Sequence, residues 1–282
     1  MTSVTVLERL SLVAPLGVCF WDDVSKSRVC DGLAVSAYPA AQRERRVAAV
    51  LNTTGVYAFP SIPGVRALED APQQVVVEVT DSLRRFIPFS FTATVPTRGL
   101  YSPACGSPPG PLAPGVPLFS APARSVPAAM AVVRAELWDP LAGAPAAWAV
   151  LEVRADGLPP VRGIADDRGR VAVILGYPEP PGPPISSPGP STGPALTDQT
   201  WTVRVLASYA PHSPVPTLPD LCATLSQPAA VVWADAARTR TLTSATLSFG
   251  RELLIRSLDA SNRPLEQGLL ITPTGSPPGS PP

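Results

Sequence analysis

The chain of 282 residues has little charge, one lysine, one histidine and no long apolar run, and each shortage closes off a class of function. Charged residues make up 16% of it, against about 25% in ordinary domains. The 22 basic residues balance the 22 acidic ones. Without a basic tract the electrostatic footprint of a nucleic-acid binder is missing. Aromatic and basic residues do not interleave as they do in a base-stacking platform. The only histidine, His212, lies between prolines in Ala210-Pro-His-Ser-Pro214, and no G-x-S-x-G elbow presents a serine to it. Lys26 is the only lysine and follows no glycine-rich loop that could cradle phosphates. The four cysteines, Cys19, Cys30, Cys105 and Cys222, form no C-x-x-C pair. They spell out neither a zinc ligand set nor a disulfide-dense scaffold. Asp22-Asp23, Glu69-Asp70 and Asp166-Asp167 are paired carboxylates, but no D-x-D-x-D-G calcium loop surrounds them and they read as turn and strand-end residues. The expectation is a chain with no catalytic residue, no cofactor and no metal site, and therefore not an enzyme.

The longest uncharged apolar stretch, Leu141 to Leu151, contains Pro145 and falls well short of the roughly 20 residues of a membrane span. Leu10 to Phe20 imitates a signal h-region, but Glu8 precedes it, Pro15 and Gly17 interrupt it, and Trp21-Asp22-Asp23 follows without a cleavage site. It reads as a strand. Cytosolic thiols and a cytoplasmic location without a signal peptide are the resulting expectation.

What the chain does have is 38 prolines, 20 glycines and an apolar fraction of 45%. That combination excludes long helices and excludes wholesale disorder, and it suits β units with extended loops. Period-2 alternation places Phe89, Phe91, Ala93 and Val95 on one face of a strand, and Trp201, Val203, Val205 and Ala207 on one face of another. Val75 to Val79 and Val171 to Leu175 read as fully buried strands. Further strands are expected at Leu33 to Tyr38, Ala131 to Leu137, Trp148 to Val153, Arg240 to Phe249 and Leu253 to Ser257. The best helix is Leu218 to Ser226, with Thr217 as N-cap and Pro219 in the first turn.

Proline density divides the chain. The expected organisation is a first β-sandwich over residues 1–100, a proline-rich linker over 101–127, a second sandwich over 128–272 with a proline-rich insertion at 177–194, and a proline-rich tail at 273–282. One order of features also occurs twice. Trp21-Asp22-Asp23, a strand, the turn Asn52-Thr-Thr-Gly55, an apolar strand and Pro63-Gly64 in the first half match Trp138-Asp139-Pro140, a strand, Asp166-Asp-Arg-Gly169, an apolar strand and Tyr177-Pro178 in the second. Asn52 and Asp166 close their turns by side-chain to backbone hydrogen bonds, and Gly55, Gly169 and Gly64 take the conformations that side chains resist. Cys19 and Cys30 lie on the two arms of a hairpin across Asp22 to Ser27, as two small buried residues or as a disulfide that would fit only an oxidising location.

This succession resembles the carboxypeptidase regulatory-like, transthyretin-type β-sandwich over roughly residues 13–95 and 130–210. The fold class expected is all-β: two Ig-like or transthyretin-like sandwiches with a proline-rich linker and loops. Asn52 to Gly64, Val79-Thr-Asp-Ser-Leu-Arg-Arg85-Phe86-Ile-Pro88, Phe119-Ser-Ala-Pro122 and Gly163-Ile-Ala-Asp166-Asp-Arg-Gly169-Arg-Val171 are further similar to uncharacterised proteins of phage-tail-like contractile injection systems, although no sheath, tube, lysin-motif hub or ATPase signature is present. That resemblance implies a non-catalytic subunit at the cap, collar or baseplate of such a particle. It would be present in multiple copies, bound to other protein subunits, without nucleic acid or membrane span, and would leave the cell on the released particle. The alternative is a secreted or cell-surface Ig-like binding or adhesion module.

Overall fold

The computed structural model describes residues 14–65, 70–102, 105, 115–127, 129–179 and 196–274. The expected insertion and tail fall largely outside these residues. Strands make up 47% and helix 4% of the structure, so among the described residues no helical layer carries a core and the fold is all-β.

In the first sandwich one layer is the antiparallel sheet of Val47–Ala48, Leu33–Pro39, Gln73–Asp81 and Phe89–Val95. The opposing layer consists of Leu100–Tyr101, Leu16–Val18, Tyr57–Phe59 and Val50–Leu51. A small sheet of Val116–Leu118, Phe20–Asp22 and Ser27–Arg28 completes it. Alternation does what it promises: Phe89, Phe91, Ala93 and Val95 are all buried, against Val75, Val77, Leu16, Val18 and Phe59. The described part of the segment expected as a linker is instead built into this sandwich. Val116–Leu118 pairs in parallel with Phe20–Asp22, and Arg124 holds the buried Asp22 carboxylate with two nitrogens at 2.9 and 2.6 Å. Burial alone would raise the Asp22 carboxyl; the hydrogen bonds from Arg124 and Ser25 outweigh it and hold the group below its ordinary value.

The second sandwich stacks Met130–Asp139, Arg170–Gly176 and Leu253–Ile255 over Val150–Ala155, Val161–Ile164, Thr200–Ser208 and Ser244–Ser248. Leu269–Pro273 ties the layers along one edge, pairing with Met130–Asp139 on one side and with Ala229–Val232 on the other. The expected strand at Trp148 starts later, at Val150, because Trp148 itself adopts φ +61°. The helix is short, Leu221–Leu225, and its cap is Asp220 rather than Thr217: the Asp220 carboxylate accepts the Ala223 N–H at 2.8 Å.

The repeated turn is real. Asn52 Oδ1 accepts N–H groups from Thr54 and Val56 at 3.0 and 2.9 Å, and Asp166 Oδ1 accepts those of Arg168 and Arg170, both at 2.9 Å. Gly55 and Gly169 follow at φ +79° and +74°. The same turn recurs at Asp81, Asp235 and Asp259, where Arg84, Arg238 and Asn262 take the positive φ in place of glycine. Non-glycine residues in that region are uncommon. In Asp81–Arg85, Asp166–Arg170 and Asp259–Arg263 an arginine four residues on returns to the turn carboxylate. A D-x-x-x-R spacing was therefore the signal that the glycine-based reading passed over.

Candidate functional site: a clamped junction and the arginine face beside it

The two sandwiches are joined by more than chain continuity. Ser90, on the edge strand of the first, donates its N–H to Pro219 O at 2.8 Å and bridges to Asp220. Next in the chain, Leu221 is buried in the first sandwich's core together with Ala147, Trp148, Val150 and Ile164 of the second. Cys222 then closes a disulfide to Cys105, with Cα atoms 4.7 Å apart. The segment 209–228 thus acts as a strap, and it covers an edge strand that would otherwise offer unpaired backbone groups. Its return is fixed by Gln227, whose amide donates to Trp148 O at 2.9 Å and whose oxygen accepts the Ala210 N–H at 2.7 Å. Trp148 in turn donates its indole N–H to Pro216 O at 3.0 Å.

This pairing is a correction to the hairpin reading, since Cys19 and Cys30 are free thiols. Cys19 is fully buried, with Sγ 3.7 Å from Gly55 O, whereas Cys30 is exposed and its sulfur lies 4.0 Å from Arg28 O. Burial pushes the Cys19 thiol up. Four cysteines allow three pairings, and the observed one depends on the strap reaching the other sandwich, which no local spacing reveals.

The remaining sequence-derived residues are turn residues. Asn52, Gly55, Asp166 and Gly169 form the turns described above. Gly64, at φ +90°, lies between bridging Ile62 and Val65, where Gln73 donates to Pro63 O at 2.9 Å. The structure does not bring them together into one site. Among the described residues there is no cluster of three or more potential metal ligands, and no helix is long and apolar enough to cross a membrane.

The sheet face next to the junction is more informative. On the outer side of Val150–Ala155 the first row, Val150 with Ile164, is buried in the first sandwich's core. The next row holds Glu152, 8% exposed, between Arg162 and Leu206. Arg162 Nε and Arg154 Nε donate to its two oxygens at 2.6 and 2.5 Å. Burial works to raise the Glu152 carboxyl, but the hydrogen bonds from Arg162 and then Arg154 prevail and hold it below its ordinary value. In the third row Arg154 stands opposite Arg204. These arginines sit on strands that composition alone marks as structural, and only the register collects them.

No family model matches the chain. No curated protein matches it either. Among solved structures it is similar to a candidate adhesin from Bacteroides ovatus ATCC 8483, at 10% identity over 76% of this chain and 86% of that one, with a TM-score of 0.19. It is also similar to the C-terminal fragment of the pilus adhesin SpaC from Lactobacillus rhamnosus GG, at 10% identity over 69% and 82%, with a TM-score of 0.18. Likeness at this level carries no functional argument, and nothing in these comparisons supports a link to contractile injection systems.

Proposed function

We propose that the chain is a non-catalytic binding module of the adhesion type, working at the cell surface or in the secreted fraction. The observation that carries this reading is the Cys105–Cys222 disulfide. Such bonds persist in oxidising compartments and are rare where thiols are kept reduced. The strap and shared core make one body of two sandwiches, which suits a protein that presents a binding face on a stiff support. No structural observation favours a subunit of an injection particle, and the same experiment tests that role.

Intact cells and culture medium are treated with a maleimide before lysis, and labelled sites are mapped with and without later reduction. The reading predicts Cys105 and Cys222 labelled only after reduction, on a small species in the exported fraction. Cys105 and Cys222 labelled without reduction, on protein that migrates with megadalton tail-like particles, would overturn it.

A further inference from the structure

The outer face of the second sandwich carries an arginine pair that folding does not require. Arg154 and Arg204 occupy directly opposite positions on neighbouring antiparallel strands, and both are exposed. Like charges placed opposite each other destabilise a sheet. Arg154 turns to Glu152, but Arg204 forms no ion pair or side-chain hydrogen bond with any described residue. Asp156, in the turn just beyond Arg154, forms no ion pair with it. With Arg162 the face holds three guanidinium groups against the single carboxylate of Glu152.

We propose that this face binds an acidic polysaccharide, whose carboxylate or sulfate groups are taken up by Arg204, Arg154 and Arg162. This deepens the binding-module reading and rests on it. Charge selects the class of ligand: a surplus of guanidinium forks on one face matches planar anionic groups, which they grip bidentately. Arg162 and Arg204 are two strands apart across the sheet and one row apart along it, about 12 Å from each other by standard strand spacings, so a ligand with repeating anionic groups fits better than a single anion. Thr202, Thr246 and Ser244 line the same exposed side and add hydroxyl partners. Two other occupants fit less well. Thr200–Ser208 is hydrogen-bonded on both sides here, so a peptide cannot add as a strand directly beside Arg204. Among the described residues no aromatic ring lies on this face between the strands of Arg162 and Ser244 to stack a nucleic-acid base. The first sandwich, seated on Val150 and Ile164, walls one end and directs the chain of sugars along the open rows.

The test uses the full, oxidised chain at low ionic strength on immobilised polygalacturonate and immobilised heparin, with neutral dextran as control. Retention by polygalacturonate assigns carboxylate as the recognised group, and retention by heparin assigns sulfate. Arg204→Ala should weaken binding at least tenfold, and Arg204→Lys should recover part of it. Because Arg204 has no partner among the described residues, its removal should leave the melting temperature unchanged or raise it, so lost binding cannot be charged to unfolding. The proposal falls if wild-type protein passes through both acidic matrices, if Arg204→Ala binds like wild type, or if polyglutamate is retained equally well. Failure here with Cys105 and Cys222 oxidised on exported protein removes this ligand and leaves the module reading in place. An Arg204-dependent interaction in a protein whose four thiols are free in cells removes the module reading instead.

Discussion

Each sandwich pins one buried glutamate on an outer sheet face between two arginines, and the two arrangements differ in what they leave open. In the first, Glu78 accepts hydrogen bonds from Tyr38, Arg43 and Arg46. The arginines come from the loop around the short helix Arg43–Arg45, and both guanidiniums lie over the Tyr38 ring, 5.9 and 5.5 Å from its centre. A loop has been laid across the face above Glu78 and Tyr38, both of which are buried. In the second, the arginines around Glu152 come from the sheet itself, and among the described residues Arg204 has no ion pair. The same ion device therefore holds a loop against the sheet in one domain and ties neighbouring strands of the sheet in the other.

Breaking the contact between the two bodies has the largest expected effect. Replacing Cys105 and Cys222 together by Ala should cost about 4 kcal/mol by the entropy of so long a loop. Chemical denaturation should show it, with new proteolytic cleavage in the strap 209–228; an unchanged midpoint would mean that burial of Leu221 and Trp148 alone holds the junction. Next comes the shared turn. A side chain at Gly169 would place its Cβ 2.3 Å from Leu137 O, a backbone atom that cannot yield, whereas at Gly55 the obstacle is the Cys30 thiol at 2.6 Å, the end of a movable side chain. Gly169→Val should thus cost about 3 kcal/mol or more and Gly55→Val about half of that. Equal losses would show that backbone strain at positive φ, not crowding, sets both costs.

Glu152→Gln should cost about 1–2 kcal/mol, since its arginines are partly solvated. The folded carboxyl titrates below its ordinary value of 4.5, so its contribution is present above that pH and is lost as the pH falls through the lower folded value. Melting temperatures measured from pH 7 to pH 3 should therefore fall less steeply for the variant than for the wild type. The smallest effect separates two tyrosines, both pushed up to about 12 chiefly by burial. Their neutral forms stabilise the fold fully below pH 10, and this is lost as the pH rises toward 12. Tyr209 hydrogen-bonds Asp139, but the Tyr57 hydroxyl is buried without a partner among the described residues. Tyr209→Phe should cost about 1 kcal/mol, and Tyr57→Phe should be neutral or stabilising. Urea midpoints at pH 7 decide it, and equal losses would show that Tyr57 has a partner in solution.

Much of the framework was legible in the sequence because strand alternation and Asx turns are local. Phe89 to Val95, Trp201 to Ala207 and the turns at Asn52 and Asp166 declare themselves within a few residues. The rest depends on distant chain. Proline density marked 101–127 as a spacer, yet Val116 to Leu118 finds a parallel partner at Phe20 to Asp22, and proline is compatible with such an outer strand. Leu221 reads as part of the second domain and is buried in the first. The arginine face is invisible in sequence because Arg162, Arg154 and Arg204 become neighbours only when three strands come into register.

The disulfide has a mechanical consequence. Tension applied between residues 14 and 274 would pass from Cys105 to Cys222 through one covalent bond, so the 117-residue step between them is removed from the load path. Most strands of the second sandwich, Arg154 and Arg204 included, lie inside that loop. About 400 Å of chain, at full extension, could not be drawn out by a pull, and the face would keep its shape under shear while the bond lasts.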